Sequence, residues 1–184
     1  MNYRVEQGWL RPARLVPSPN FGPRPEGCAP DQLVIHNIAL PPGEYGNDAV
    51  ERLFTNCLDW DAHPYFQAIR GLMVSSHLLV RRDGQVLQFV NLHQRAWHAG
   101  LSVYRGRDNC NDFSIGIELE GSDDTPYTSH QYRELGALTL VLLNAFPTLS
   151  PERIVGHSDI APGRKTDPGT AFDWGRYLSS LGGG

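Results

Sequence analysis

The chain has 184 residues, 40% hydrophobic and 20% charged, the balance of one globular domain with a sizeable core. Sixteen Lys and Arg against twenty Asp and Glu leave a formal charge of −4, which excludes the basic excess of a nucleic-acid-binding surface. No run approaches the ~20 apolar residues of a membrane span; the best, Leu138 to Phe146, is short and interrupted by Thr139 and Asn144. The first residues carry Glu6 and several arginines and lack the apolar stretch of a secretion signal. Three cysteines (Cys28, Cys57, Cys110), odd in number and without C-x-x-C spacing, suggest neither a disulfide framework nor a cysteine-rich metal module. A reduced, cytoplasmic protein with no nucleic-acid or membrane partner is expected. Fifteen of the sixteen basic residues are Arg, so the single Lys165 stands out. A planar guanidinium cannot replace a compact ammonium in a tight site.

Residues 1–30, with six prolines, predict an extended arm packed on the domain that follows. Leu33-Val34-Ile35 is a short β-rich run ending at His36, and Pro41-Pro42-Gly43 forces a loop after it. Asn47 or Asp48 caps a helix to about Cys57, with Val50, Leu53 and Phe54 at helical spacing. His77–Arg81 and Gln85–Val90 flank an Asp83-Gly84 turn and predict a hairpin. Ser114–Leu119 predicts a strand. A helix capped by Ser129 runs from His130 to Phe146, carries Tyr132, Leu135, Leu138 and Leu142 on one face, and is ended by Pro147. Arg153–Gly156 is a further strand, Ala171–Ser180 a last helix, and Gly182–Gly184 a flexible tail. Strands interleaved with helices predict an α/β (α+β) fold over 31–181, one domain with one central sheet.

Several polar residues stand where chemistry is possible. A hydrolytic metal site takes three protein ligands and keeps a place for water; the H-E-x-x-H signature is absent. The segment from Gly156 to Gly169 follows a strand and packs His157, Asp159, Lys165 and Asp167 into a loop stiffened by two prolines. His36 ends a strand, where side chains project beyond a sheet. A strand-end histidine is more often a hydrogen-bonded structural residue than a ligand, and Asp167 before Pro168 more often a turn former. In Ser114–Leu119, period two puts Ile115, Ile117 and Leu119 on one face, leaving Ser114, Gly116 and Glu118 on the other. The two small residues predict open space beside the carboxylate, suiting either a cleft floor or a solvated face. Trp97, next to His98, offers a surface for stacking on a sugar, or is plain core. Tyr65 places a phenol near the same region, or is a satisfied buried tyrosine.

Six segments in order, beginning HNIALPPGEYG (His36), AHPYF (Ala62), SSHLLVRRDGQVLQFV (Ser75), RAWHAGLS (Arg95), CNDFSIGIELEG (Cys110) and GHSDIAPGRKTDPG (Gly156), resemble the AmpD family of cytoplasmic 1,6-anhydro-N-acetylmuramyl-L-alanine amidases. The resemblance covers nearly the whole chain. It implies the fold of the peptidoglycan-recognition-protein and zinc-amidase superfamily, a central mixed sheet flanked by helices with zinc in a surface cleft. By position, it implies His36, His157 and Asp167 as zinc ligands, Glu118 as catalytic acid and base, Lys165 as the transition-state cation and Tyr65 as an assisting group. Trp97 is implied to stack on the sugar. Relatives carry basic residues after the WHAG element to meet the peptide; this chain has Arg105, Arg107 and Asn109 there, and Arg107 is the expected contact. The implied substrate is a small muropeptide, cut by a monomeric enzyme. A non-catalytic muropeptide-binding module and an amidase acting on intact wall are the alternatives. Retention of His36, His157, Asp167 and Glu118 disfavours the first, and lack of an export signal disfavours the second.

Overall fold

The computed structural model describes residues 2–182, so Gly183 and Gly184 of the expected tail lie outside the described residues. Gln32–Ile38 and Ser114–Glu120 pair in parallel, in register from Gln32 opposite Ser114 to Ile38 opposite Glu120. Ile154–Gly156 adds in parallel beyond Gln32–Ile38, and Leu78–Val80 in parallel on the far side of Ser114–Glu120. The chain turns at Gly84, whose φ of +90° suits glycine, and returns antiparallel through Val86–Gln88. Arg14–Leu15 of the N-terminal arm closes that edge, parallel to Val86–Gln88. The result is a mixed sheet of six strands. Every residue of Ser114–Glu120 is buried, as expected of a central strand covered on both faces.

The two faces separate by period two. Leu33, Ile35, Ile115, Ile117 and Leu119 meet Tyr132, Leu135, Leu138 and Leu142 of the helix Ser129–Ala145. Each fully buried leucine there contributes about 1.5–3 kcal/mol relative to exposure. The helix begins one residue earlier than the sequence suggested. Thr128, not Ser129, is its N-cap, because the Thr128 hydroxyl accepts from Gln131 N–H while the Gln131 side chain accepts from Thr128 N–H. The opposite face is covered by two separate apolar patches. Leu79 and Leu87 pack with Phe54, Phe66 and Phe89 under the helices Ala49–Phe54 and Pro64–Ala68, and Val34 packs with Ala99, Cys110, Phe113 and Ile160. His36 and Glu118 belong to this second face, on adjacent strands and directly paired in register.

Two short helices escaped the sequence reading. Pro64–Ala68 is capped by the His63 ring, whose Nδ1 accepts from Tyr65 N–H. His157–Ile160 is a single helical turn at the start of what had looked like one continuous loop. The helix Ala49–Phe54 stops short of Cys57, with Asn56 at a φ of +59° just after it, and the last helix is shorter than expected, Trp174–Ser179, capped by the Asp173 carboxylate.

Candidate metal centre and cleft

Three elements converge at the end of the sheet. His36 projects from Gln32–Ile38, and His157 opens the helical turn that follows Ile154–Gly156. The Asp159 carboxylate caps that turn by accepting from Gly156 N–H at 2.7 Å. The following loop folds back so that Asp167 accepts from Ser158 N–H through its carbonyl at 3.0 Å. This return brings the Asp167 carboxylate between the two rings. His36 Nδ1 and His157 Nδ1 are 2.9 Å apart, and Asp167 Oδ2 is 3.0 Å from each.

Two imidazoles and a carboxylate are a donor set that suits zinc. The centre of a triangle with these sides is about 1.7 Å from each atom, inside the ~2.0–2.2 Å reach of zinc–nitrogen and zinc–oxygen bonds, so one cation can touch all three. His157 is held in the tautomer that such binding needs. Its Nε2–H donates to the Ala99 carbonyl at 3.0 Å, which leaves Nδ1 unprotonated. Burial lowers the pKa of His36 to about 4, so its ring is neutral near pH 7. Burial by itself raises the Asp167 carboxyl, but its contacts with His157 and His36 outweigh this and hold it below the ordinary carboxylate range. The residues present fit a divalent metal ion.

Glu118 stands beside this triangle and is only 7% exposed. Among the described residues, its Oε2 has no hydrogen-bond partner. Burial pushes its pKa well above the ordinary value; Asp167 adds to the rise and Lys165 opposes it. His36, His157, Asp167, Glu118, Lys165, Tyr65 and Trp97 all line one cleft of about 330 Å³. Seven of the eight side chains singled out from sequence are therefore brought together.

The eighth is not. Arg107 does not line the cleft: its guanidinium lies 3.6 Å from the centre of the Phe113 ring and donates to Asp31 at 2.6 Å. An ion pair with a partner 76 residues away holds its guanidinium outside this lining. Glu118 faces the open cleft, but the space over Gly116 is occupied. The His98 ring fills it, so closely that a Cβ at Gly116 would lie 2.5 Å from the ring. Sequence reasoning missed the placement of the His98 ring over Gly116 and the apolar wall of Ile69, Leu72 and Val74. The pairing of two small residues with a carboxylate on one strand face was the available signal for the ring.

Comparison with known proteins agrees with this architecture. The sequence profile of the N-acetylmuramoyl-L-alanine amidase family matches residues 26–170. The chain is 56% identical over 177 residues to the 1,6-anhydro-N-acetylmuramyl-L-alanine amidase AmpD of Enterobacter cloacae, covering 96% of this chain and 94% of that one. A crystal structure of a selenomethionine AmpD derivative superposes with a TM-score of 0.94 at 51% identity, covering 96% of this chain and 98% of that one. The Escherichia coli amidase AmiD, solved with anhydro-N-acetylmuramic acid-L-Ala-D-γ-Glu-L-Lys, superposes with a TM-score of 0.60 at 27% identity, covering 97% of this chain and 65% of that one. With most of its length matched in both sequence and fold, the chain belongs to the AmpD branch of the N-acetylmuramoyl-L-alanine amidase family.

Proposed function

We propose that the protein hydrolyses the amide joining the lactyl group of 1,6-anhydro-N-acetylmuramic acid to the L-Ala of its stem peptide, as an enzyme of peptidoglycan recycling. The observation that carries this reading is the triangle of His36 Nδ1, His157 Nδ1 and Asp167 Oδ2 in the same cleft as the unpartnered Glu118 oxygen. Likeness to AmpD and to a relative solved with an anhydromuropeptide supports the substrate class.

His36, His157 and Asp167 would hold zinc. When bound, the ion supplies a Lewis acid that acidifies water and polarises a carbonyl. Glu118 takes the proton of the attacking water on its free carboxylate oxygen and delivers it to the departing L-Ala nitrogen. The new C–O bond forms, the C–N bond breaks, and the proton ends on the amine. Burial favours this carboxyl's protonated form, which suits a group that must hold a proton before passing it on. Lys165 offers its ammonium to the carbonyl oxygen as negative charge develops there. Tyr65, partly exposed, adds a phenol donor at the cleft edge. Trp97 and the wall of Ile69, Leu72 and Val74 present an apolar surface to the sugar. A monomeric, cytoplasmic enzyme is part of the same reading. Free Cys28, Cys57 and Cys110 support a reducing compartment, and no described helix is long and apolar enough to cross a membrane.

Mass spectrometry of anhydro-muramyl-tripeptide incubated with the zinc-loaded protein tests this. Anhydro-N-acetylmuramic acid and free tripeptide are expected, with no product after chelation and circular dichroism still that of a folded protein. Uncut substrate with zinc present, or release from whole sacculi alone, contradicts the reading.

A further inference from the structure

His98 is a buried histidine that the mechanism above leaves without a role. Its ring lies against the strand Ser114–Glu120 at Gly116. His98 Nδ1 is 2.8 Å from His36 Nε2, and His98 Nε2 is 3.0 Å from Ser114 Oγ. Ser114 Oγ is in turn 2.6 Å from the Cys110 carbonyl oxygen.

The direction of each bond follows from the far end of this chain. A backbone carbonyl only accepts, so the single proton of the Ser114 hydroxyl goes to Cys110. Ser114 Oγ then has no proton for His98 and must accept from His98 Nε2–H. A neutral imidazole carries one ring proton, so His98 Nδ1 is bare and accepts from His36 Nε2–H. His36 is left with its lone pair on Nδ1. That atom faces Asp167 Oδ2 at 3.0 Å and His157 Nδ1 at 2.9 Å.

We propose that His98 and Ser114 are positioning residues: together they lock the tautomer and ring orientation of His36 so that its Nδ1 lone pair is always presented to the metal. This rests on the assignment of His36, His157 and Asp167 as metal ligands. Without the relay, His36 is free to carry its proton on Nδ1, and that proton has to leave before an ion binds. His157 reaches the same state by one bond, Nε2–H to the Ala99 carbonyl. The two ligand histidines are thus set by different devices, one anchored on backbone and one on two side chains.

Zinc affinity by chelator competition, paired with long-range proton–nitrogen NMR of the histidine rings in the zinc-loaded protein, tests the proposal. In the wild type, His98 is expected as the Nε2–H tautomer. Ser114→Ala and His98→Ala are each expected to weaken zinc binding by roughly 10–100-fold, the range for losing an outer-shell partner of a ligand. His98→Asn, whose Oδ1 can stand where Nδ1 stood and accept from His36, is expected to bind more tightly than His98→Ala. Should His98→Ala fail to fold, Ser114→Ala and the wild-type tautomer still decide the matter. Zinc affinity within twofold of wild type in Ser114→Ala and a folded His98→Ala, or a His98 proton on Nδ1, overturns the proposal. A wild-type protein that binds no zinc overturns the metal assignment beneath it, and the relay with it.

Discussion

Glu118 is held in a condition that costs the fold stability, and removing its charge exposes that cost. Glu118 is 7% exposed, its Oε2 has no hydrogen-bond partner among the described residues, and burial disfavours its charged form by more than Lys165 restores. An unsatisfied buried polar atom costs about 1–3 kcal/mol, and more when the group is charged. Glu118→Gln keeps the shape and an unpartnered polar end but removes the charge, so only that excess is recovered, and the chelated protein should be stabilised by about 1–3 kcal/mol. For a chain of this size that is a rise in Tm of roughly 3–9 °C. The pH dependence has a definite sign. The folded-state pKa is raised, so the native state binds the Glu118 proton more tightly than the unfolded chain does. Wild-type stability from this group is fully present below the unfolded value of about 4.3 and is lost as pH rises through the folded pKa. The gap between variant and wild type should therefore be small near pH 4 and widen toward neutrality, while amidase activity of the variant is nearly abolished at all pH values. Thermal melts of both proteins in chelator across this range measure it. A variant that melts at or below the wild type at neutral pH, or a gap that shrinks as pH rises, refutes the reasoning.

Other positions give equally direct outcomes. Lys165→Ala should lower turnover by roughly 10²–10³, the scale for one lost oxyanion partner, with zinc stoichiometry by elemental analysis unchanged; wild-type turnover would remove Lys165 from the mechanism. Arg107→Ala should leave KM for an anhydromuropeptide within about twofold of wild type, because this arginine is engaged by Asp31 and Phe113 away from the cleft. Thr128→Ala breaks the capping box of the Ser129–Ala145 helix and should cost about 0.5–2 kcal/mol in denaturant melts, whereas Ser129→Ala should cost much less.

Much of the frame was legible in the sequence because it depends on local periodicity. Alternation in Ser114–Leu119 separated the core face from the cleft face, and the Asp83-Gly84 turn fixed the hairpin. Tyr132, Leu135, Leu138 and Leu142 marked the buried side of the long helix. Short elements were not legible. Pro64–Ala68 and His157–Ile160 are five and four residues long, too short to display a helical period. Arg14–Leu15 is a strand only because Val86–Gln88 lies beside it. The cleft residues were legible through the motifs that carry the family resemblance. What stood opposite each was not, since periodicity names the face a residue points to and says nothing of its neighbour across space. Hence Ser114 and Gly116 suggested a void where a ring is packed, and the ion pair of Arg107 with Asp31, distant in sequence, was not foreseen.

The central claim is that two rings and one carboxylate hold a metal ion beside a carboxyl that does not bind it. Anomalous diffraction at the zinc edge from zinc-loaded crystals tests this most directly. One zinc per chain, bonded to Nδ1 of His36, Nδ1 of His157 and a carboxylate oxygen of Asp167 with Glu118 outside bonding distance, is the predicted result. Zinc at other residues, or bonded to Glu118, would contradict it.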